Sequence, residues 1–83
     1  MNEDRIAELE ARIADLPPGY ISKKTINGRI RYYHQWYESG KLHTKYLRED
    51  EYPEMKARID ERKELQRRLA DIEDAMRVDE PYR

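Results

Sequence analysis

Two histidines in the middle of the chain are the residues whose types and spacing come nearest to supporting catalysis. His34 and His43 could act as acid and base on a phosphodiester, with Lys45 close to His34. However, the sequence contains no H-E-x-x-H motif, no Gly-rich phosphate loop and no paired-carboxylate motif. Two histidines without a convergent carboxylate also make an incomplete metal site. We therefore expect a protein that is not an enzyme and carries no metal or other cofactor.

Charge is sorted along the sequence, although the net charge is only -1. Residues 20–48 hold seven bases and one acid, which gives +6, whereas residues 1–19 sum to -3 and residues 49–83 to -4. Six of the eight aromatic residues fall in the same basic segment. Lys and Arg neutralise phosphates and planar rings stack on unpaired bases, so this segment favours nucleic acid. The predicted binding residues are Lys23, Arg29, Arg31, Tyr32, His34, Trp36, Lys41, His43 and Lys45.

Length and composition exclude several classes of protein. With 83 residues the chain forms one domain, because independent cores need roughly 50–100 residues. No stretch approaches the roughly 20 apolar residues of a membrane helix, and the first ten residues do not resemble a signal peptide. The absence of cysteine removes disulfides and thiolate chemistry. We expect a soluble cytoplasmic protein with no membrane attachment.

Apolar residues at helical spacing predict a helix near each end of the chain. Ile6, Leu9, Ile13 and Leu16 follow one another at intervals of three and four and predict a helix over 3–16. The two prolines and the glycine that follow end it. The same period returns after Asp50 and predicts a long helix over 51–77, which leaves 79–83 as a loose tail.

The apolar stripes of the two helices have the same rhythm. If the two helices pack antiparallel, Leu16 would lie opposite Leu65 and Ile13 opposite Leu69. This pattern predicts that the helices pair as an antiparallel coiled-coil-like stem. Because a two-helix seam buries little surface, the stem could also join two copies into a homodimer.

Between the helices the period changes to two, which predicts strands. Strands are expected near 20–26, 29–38 and 41–47, separated by the two-residue turns Asn27-Gly28 and Ser39-Gly40. The predicted fold is therefore α+β: a helix, a three-stranded antiparallel β-meander and a long C-terminal helix.

The two turns also assign the side chains of the strands to two faces. One face carries Tyr33, Tyr37 and Leu42, and the other carries lysines interleaved with Tyr32 and Trp36. Because buried lysine is rare unless paired, the lysine-bearing face is expected to be exposed and the other to pack on the helices. A slip of one residue in either turn would exchange the faces.

The run ISKKTINGRIRYYHQWYESGKLHTKYL, with the helix that follows it to about residue 62, resembles two small DNA-binding modules. These are the arm-type binding domain of tyrosine recombinases and the AP2-type domain, both of three strands and a helix. Those families read the major groove with the sheet, which implies DNA contacts for Lys23, Tyr32, His34, Trp36, His43 and Lys45. The long acidic stem is a departure from both. The run also looks like short uncharacterised proteins of bacteria and their mobile elements.

A second hypothesis is a protein inhibitor or adaptor. Small, highly charged, single-domain chains are typical of phage counter-defence (anti-CRISPR-like) proteins, which would bind a nucleic-acid-processing enzyme. Tyr, Trp and Arg dominate the hot spots of protein interfaces. The acidic run Glu49-Asp50-Glu51 could occupy a nucleic-acid channel of such a partner.

Overall fold

The computed structural model describes residues 2–76 and has the predicted order of helix, three strands and helix. Helix α1 spans Asn2–Asp15, strands β1, β2 and β3 span Tyr20–Ile26, Arg29–Glu38 and Lys41–Leu47, and helix α2 spans Tyr52–Met76. The strands form one antiparallel sheet in the order β1-β2-β3. The α+β fold is confirmed, while the tail predicted at 79–83 lies outside the described residues.

Both hairpins turn through two residues with positive φ. Asn27 and Gly28 have φ of 52° and 78°, and Ser39 and Gly40 have φ of 53° and 78°. Positive φ at both central positions is the signature of the type I′ turn, whose twist matches that of the flanking strands. Ile26 consequently pairs with Arg29, so the predicted register is confirmed.

The register divides the strand side chains between two faces of the sheet, a helix-side face and an open face. The helix-side face consists of Ile21, Lys23, Thr25, Ile30, Tyr32, His34, Trp36, Glu38, Lys41, His43, Lys45 and Leu47. The open face consists of Tyr20, Ser22, Lys24, Ile26, Arg29, Arg31, Tyr33, Gln35, Tyr37, Leu42, Thr44 and Tyr46.

The helices pack on the helix-side face, which carries Lys23, Lys41 and Lys45 and was predicted to be exposed. The predicted assignment of the two faces is therefore wrong. His34 and Leu47 are buried on this face, and Tyr32 stacks on Tyr52 of α2. The buried apolar residues Leu16 and Ile59 are contributed from the helix side. A helix is only about 10 Å wide, so it covers the middle of the face and leaves the edge strands exposed. Lysines on those edges keep their ammonium groups in water, and their presence does not exclude packing at the centre.

The last turn of α1 lies beside the middle of α2. The guanidinium of Arg12 donates to both carboxylate oxygens of Glu61, each at 3.0 Å, and Arg62 Nε donates to the carbonyl oxygen of Ile13 at 3.2 Å. The predicted register, which set Ile13 opposite Leu69, is therefore wrong by about two turns. A shift of seven residues superposes one heptad on the next, so the apolar stripe alone cannot distinguish the two registers. Pairing along the whole length as a coiled-coil-like stem stays a prediction.

Neither helix, over residues 2–76, combines the length and apolar character that a membrane span requires.

The linker from α1 to β1 passes close to β2. Nε2 of His34 lies 2.6 Å from the carbonyl oxygen of Pro18, and since a carbonyl only accepts, the proton of the ring is on Nε2. Gly19 has φ of 90°, and a Cβ there would overlap the carbonyl oxygen of Gln35 and lie 2.8 Å from the Cβ of Trp36. Glycine is therefore required by both the backbone conformation and the close approach.

We expect Gly19→Ala to lower the free energy of unfolding by about 2–5 kcal/mol, from about 1–2 for the left-handed backbone and about 1–3 for overpacking. The matched control is Gly28→Ala, where φ is 78° but no atom lies within 4 Å of the added Cβ. It should lose only the backbone contribution. Urea denaturation followed by circular dichroism measures both, and equal losses would contradict the close approach at Gly19.

Candidate functional site

The open face carries cations and exposed rings but no carboxylate. Its charged side chains are Lys24, Arg29 and Arg31. Tyr37 is 68% exposed and Tyr46 is 45% exposed. A rigid sheet thus presents groups that can neutralise phosphates next to rings on which a base can stack.

The cations and the rings of this face are in contact with one another. Lys24 Nζ lies 5.2 Å from the ring centroid of Tyr33, and the guanidinium carbon of Arg31 lies 5.8 Å from that of Tyr46. Tyr33 and Tyr46 meet edge to face, with centroids 5.7 Å apart. Cation–π contacts hold long side chains over the rings, so less side-chain freedom is lost when a ligand binds.

Several cations outside the strands are paired with carboxylates. Lys56 Nζ lies 2.7 Å from Asp60 Oδ2 in α2, and a hydrogen bond from Arg67 lowers the pKa of the Glu64 carboxyl. Within residues 2–76, by contrast, no strand cation lies within 4 Å of a carboxylate. These strand cations are Lys23, Lys24, Arg29, Arg31, Lys41 and Lys45.

Three of the predicted binding residues are wholly or partly buried on the helix-side face. Tyr32 stacks on Tyr52 with ring centroids 3.9 Å apart and an angle of 18° between the planes. His34 is 5% exposed. Trp36 lies half-buried between two imidazoles, with centroids 4.5 Å from His34 and 5.4 Å from His43. These rings stabilise the junction of sheet and helices instead of forming the exposed row that the sequence predicted.

The other six predicted residues are divided between two faces. Lys23 lies on β1 and is exposed at the margin of the helix-side face. Lys41, His43 and Lys45 are exposed on the same face along β3. Arg29 and Arg31 lie on the open face. The structure therefore does not bring the nine residues together in one surface.

Sequence reasoning missed Lys24, Tyr33, Tyr37 and Tyr46 as site residues because it placed their face against the helices. The alternation with period two already grouped them with Arg31. They could have been identified from the number of elements available to pack on the sheet. One long helix cannot bury both faces of a sheet, so one face has to remain exposed.

A groove of about 600 Å³ lies at the end of the open face nearest the first turn. Arg29, Arg31 and Tyr46 line it together with Glu49 from the loop that follows β3. The carboxylate of Glu49 is thus the acidic group that borders the cations of the open face.

The geometry gives no support to chemistry by the two histidines. The Nε2 proton of His34 is donated to the carbonyl of Pro18, so this nitrogen cannot accept a proton from a substrate. Among residues 2–76 no group of three or more His, Asp or Glu side chains is arranged to hold a metal.

Fold and surface together define a small α+β protein in which the helices pack on part of one face of a three-stranded meander and leave the other face to solvent. The chain belongs to the family described as Domain of unknown function (DUF6788), whose model matches residues 3–57. The match includes α1, the whole sheet and the beginning of α2. No curated protein and no solved structure matches the chain significantly.

The assignment of the faces predicts different outcomes for two tyrosines on the same strand. We expect Tyr32→Ala to lower the free energy of unfolding by about 2–3 kcal/mol, because it removes a half-buried stacked ring. Tyr37→Ala, with the same change in strand propensity, should lose less than about 1 kcal/mol. Chemical denaturation measures both, and a larger loss for Tyr37→Ala would show that the open face is the packed one.

Proposed function

We propose that this protein is a small non-enzymatic binding protein that holds a nucleic-acid strand on the open face of its sheet. The observation that carries the proposal is the coincidence, on one exposed face, of three cations without a paired carboxylate and of exposed tyrosine rings. DNA is placed ahead of RNA on the resemblance of the sheet to the DNA-binding modules. The proposed setting is the cytoplasm.

Electrostatics supports a polyanionic partner. Unpaired cations close together on one surface repel one another, and this repulsion is relieved when a polyanion binds and releases its counterions. Lys24, Arg29 and Arg31 occupy the half of the open face nearest the first turn. Four carboxylates of α2 are paired with cations of the helices, as Glu61 is with Arg12.

The rings supply the second component of the proposed interaction. Tyr46 is held beneath Arg31, and Tyr37 stands free at the opposite end of the face. Base–aromatic stacking contributes about 1–3 kcal/mol per base and tolerates any sequence. Phosphates at the cationic end and bases at the aromatic end would therefore be bound by different parts of one face.

The proposal predicts salt-dependent binding that is lost by changes on the open face. We expect labelled DNA to bind with a slope of log K against log salt of about -2 to -3 between about 50 and 200 mM salt, for three phosphate contacts. Arg31→Gln should weaken binding about 3- to 10-fold and lower the magnitude of this slope by about 0.7–0.9. Fluorescence anisotropy with single- and double-stranded DNA and RNA measures these quantities.

Two matched variants locate the binding surface. Arg67→Gln removes the same charge from an ion-paired position on α2 and should change affinity less than about twofold. Lys45→Gln removes a charge from the helix-side face, where the sequence alone had placed the site. Affinity that is insensitive to salt, or that falls equally for Arg31→Gln and Arg67→Gln, would refute binding by the open face.

A protein partner is the second candidate function, in keeping with the inhibitor or adaptor hypothesis. It is favoured by the end of the open face nearest the second turn, where Tyr37 pairs with Leu42 and both are exposed, at 68% and 46%. Exposed tyrosine and aliphatic side chains without charge are typical of the centre of a protein interface.

The second candidate predicts capture of one specific protein by the immobilised chain when nucleic acid binding is absent. Tyr37→Ser and Leu42→Ser should each reduce the capture at least about tenfold, because central interface residues carry most of the binding energy. Lys41→Gln, on the opposite face at the same end of the sheet, is the control. Capture that withstands both serine variants would exclude this patch as the interface.

A further inference from the structure

A cleft of about 280 Å³ lies between the free edge of β1 and α2, on the opposite side of β1 from the open face. Ile21 and the buried side chain of Ile59 form part of its lining, together with the stacked rings of Tyr32 and Tyr52. Apolar and aromatic side chains thus form part of its lining, beside polar groups. Its volume is at the lower end of the range for small-molecule sites, so the cleft does not admit a duplex.

Three lysines also line the cleft. Lys23 comes from β1, and Lys56 and Lys63 come from α2. The acid that lines the cleft is Asp60, which pairs with Lys56 at 2.7 Å. Lys23 and Lys63 have no carboxylate partner within 4 Å among residues 2–76.

The formal charge of the cleft is +2, from three lysines and one aspartate. A phosphate monoester carries a charge close to -2 near neutral pH, whereas a phosphodiester within a strand carries -1. Tyrosine hydroxyls at the same cleft can donate hydrogen bonds to phosphate oxygens, and the rings and isoleucines can contact a sugar or a base. The lining thus matches a nucleoside monoester better than an internal phosphodiester.

We propose that this cleft binds a phosphate monoester attached to a nucleoside, either the phosphorylated end of a nucleic-acid strand or a free mononucleotide. For the strand end the inference rests on the proposed function. Lys23 and Lys24 are neighbours on β1 whose side chains point to opposite faces, so the cations of the open face and those of the cleft meet across one edge of the sheet. A strand that leaves the open face over β1 reaches the cleft with its end.

The test compares three single-stranded DNAs of one sequence, about 12 nucleotides long and labelled internally, with a 5′-phosphate, a 3′-phosphate or hydroxyls at both ends. Binding to the full 83-residue chain is measured by fluorescence anisotropy, and AMP and inorganic phosphate are titrated separately by NMR. We expect one phosphorylated end to bind about tenfold more tightly than the hydroxyl ends, because charge-assisted hydrogen bonds to the monoester are added.

The double variant Lys23→Gln/Lys63→Gln should abolish this preference while hydroxyl-ended DNA binds within about threefold of the original chain, since one lysine near the strand path is lost. Lys41→Gln, on the far edge strand, should preserve the preference. Equal affinity for all three DNAs, with no binding of AMP, would overturn the cleft and leave the proposed function standing.

The free ligands separate the remaining cases. Binding of AMP that the double variant abolishes, in a chain that binds no DNA, would support the cleft for a free mononucleotide and refute the proposed function. Inorganic phosphate binding as tightly as AMP would overturn the part assigned to the apolar and aromatic lining. No binding of any of these ligands would refute both proposals.

Discussion

The packing of α2 across one face of the sheet is the contact on which the rest of the surface depends. The stack of Tyr32 on Tyr52 and the burial of Ile59 hold the helix over the central strand. Once this face is covered, no further helix remains among the described residues to cover the other one. A three-stranded sheet of this kind therefore has one face that stabilises the fold and one that is free to bind. The linker at Gly19 and the hydrogen bond from His34 to Pro18 fasten α1 to the same side.

The charged residues are also distributed differently on the helices and on the sheet. On α2 several carboxylates and cations form ion pairs, as Lys56 does with Asp60 and Arg67 with Glu64. The strands carry six bases against a single acid, Glu38, so their cations find no partner nearby. Exposed ion pairs of this kind add little to stability. The positive charge of the molecule is concentrated on the sheet, both on the open face and along the edge of β1.

The faces of the sheet show how far patterns in the sequence lead. Asn27-Gly28 and Ser39-Gly40 predicted both two-residue turns, and with them the strand limits and the pairing of Ile26 with Arg29. The sequence patterns did not reveal which face the helices cover, because both faces mix apolar and basic residues in similar proportion. The rule that lysine avoids burial was applied to a whole face, whereas a helix covers only its centre. The register between α1 and α2 was mispredicted for a similar reason. A heptad repeat presents the same apolar stripe after a shift of seven residues, so the pattern does not distinguish the two registers.

The sequence by itself determined the local features of this protein: the limits of the helices and strands, the two turns, the pairing of the strands and the basic, aromatic character of the sheet. Each depends on residues close together in the chain, whose backbone preferences and periodicity are strong. Only the tertiary structure decided that His34 is buried and Tyr32 packs on α2, and that Lys24, Tyr33 and Tyr46 lie on the open face. It alone brought Lys23 beside Lys63 in one cleft. These outcomes depend on how α2 crosses the sheet, and this is set by shape and packing between residues far apart in the chain, which no local pattern records.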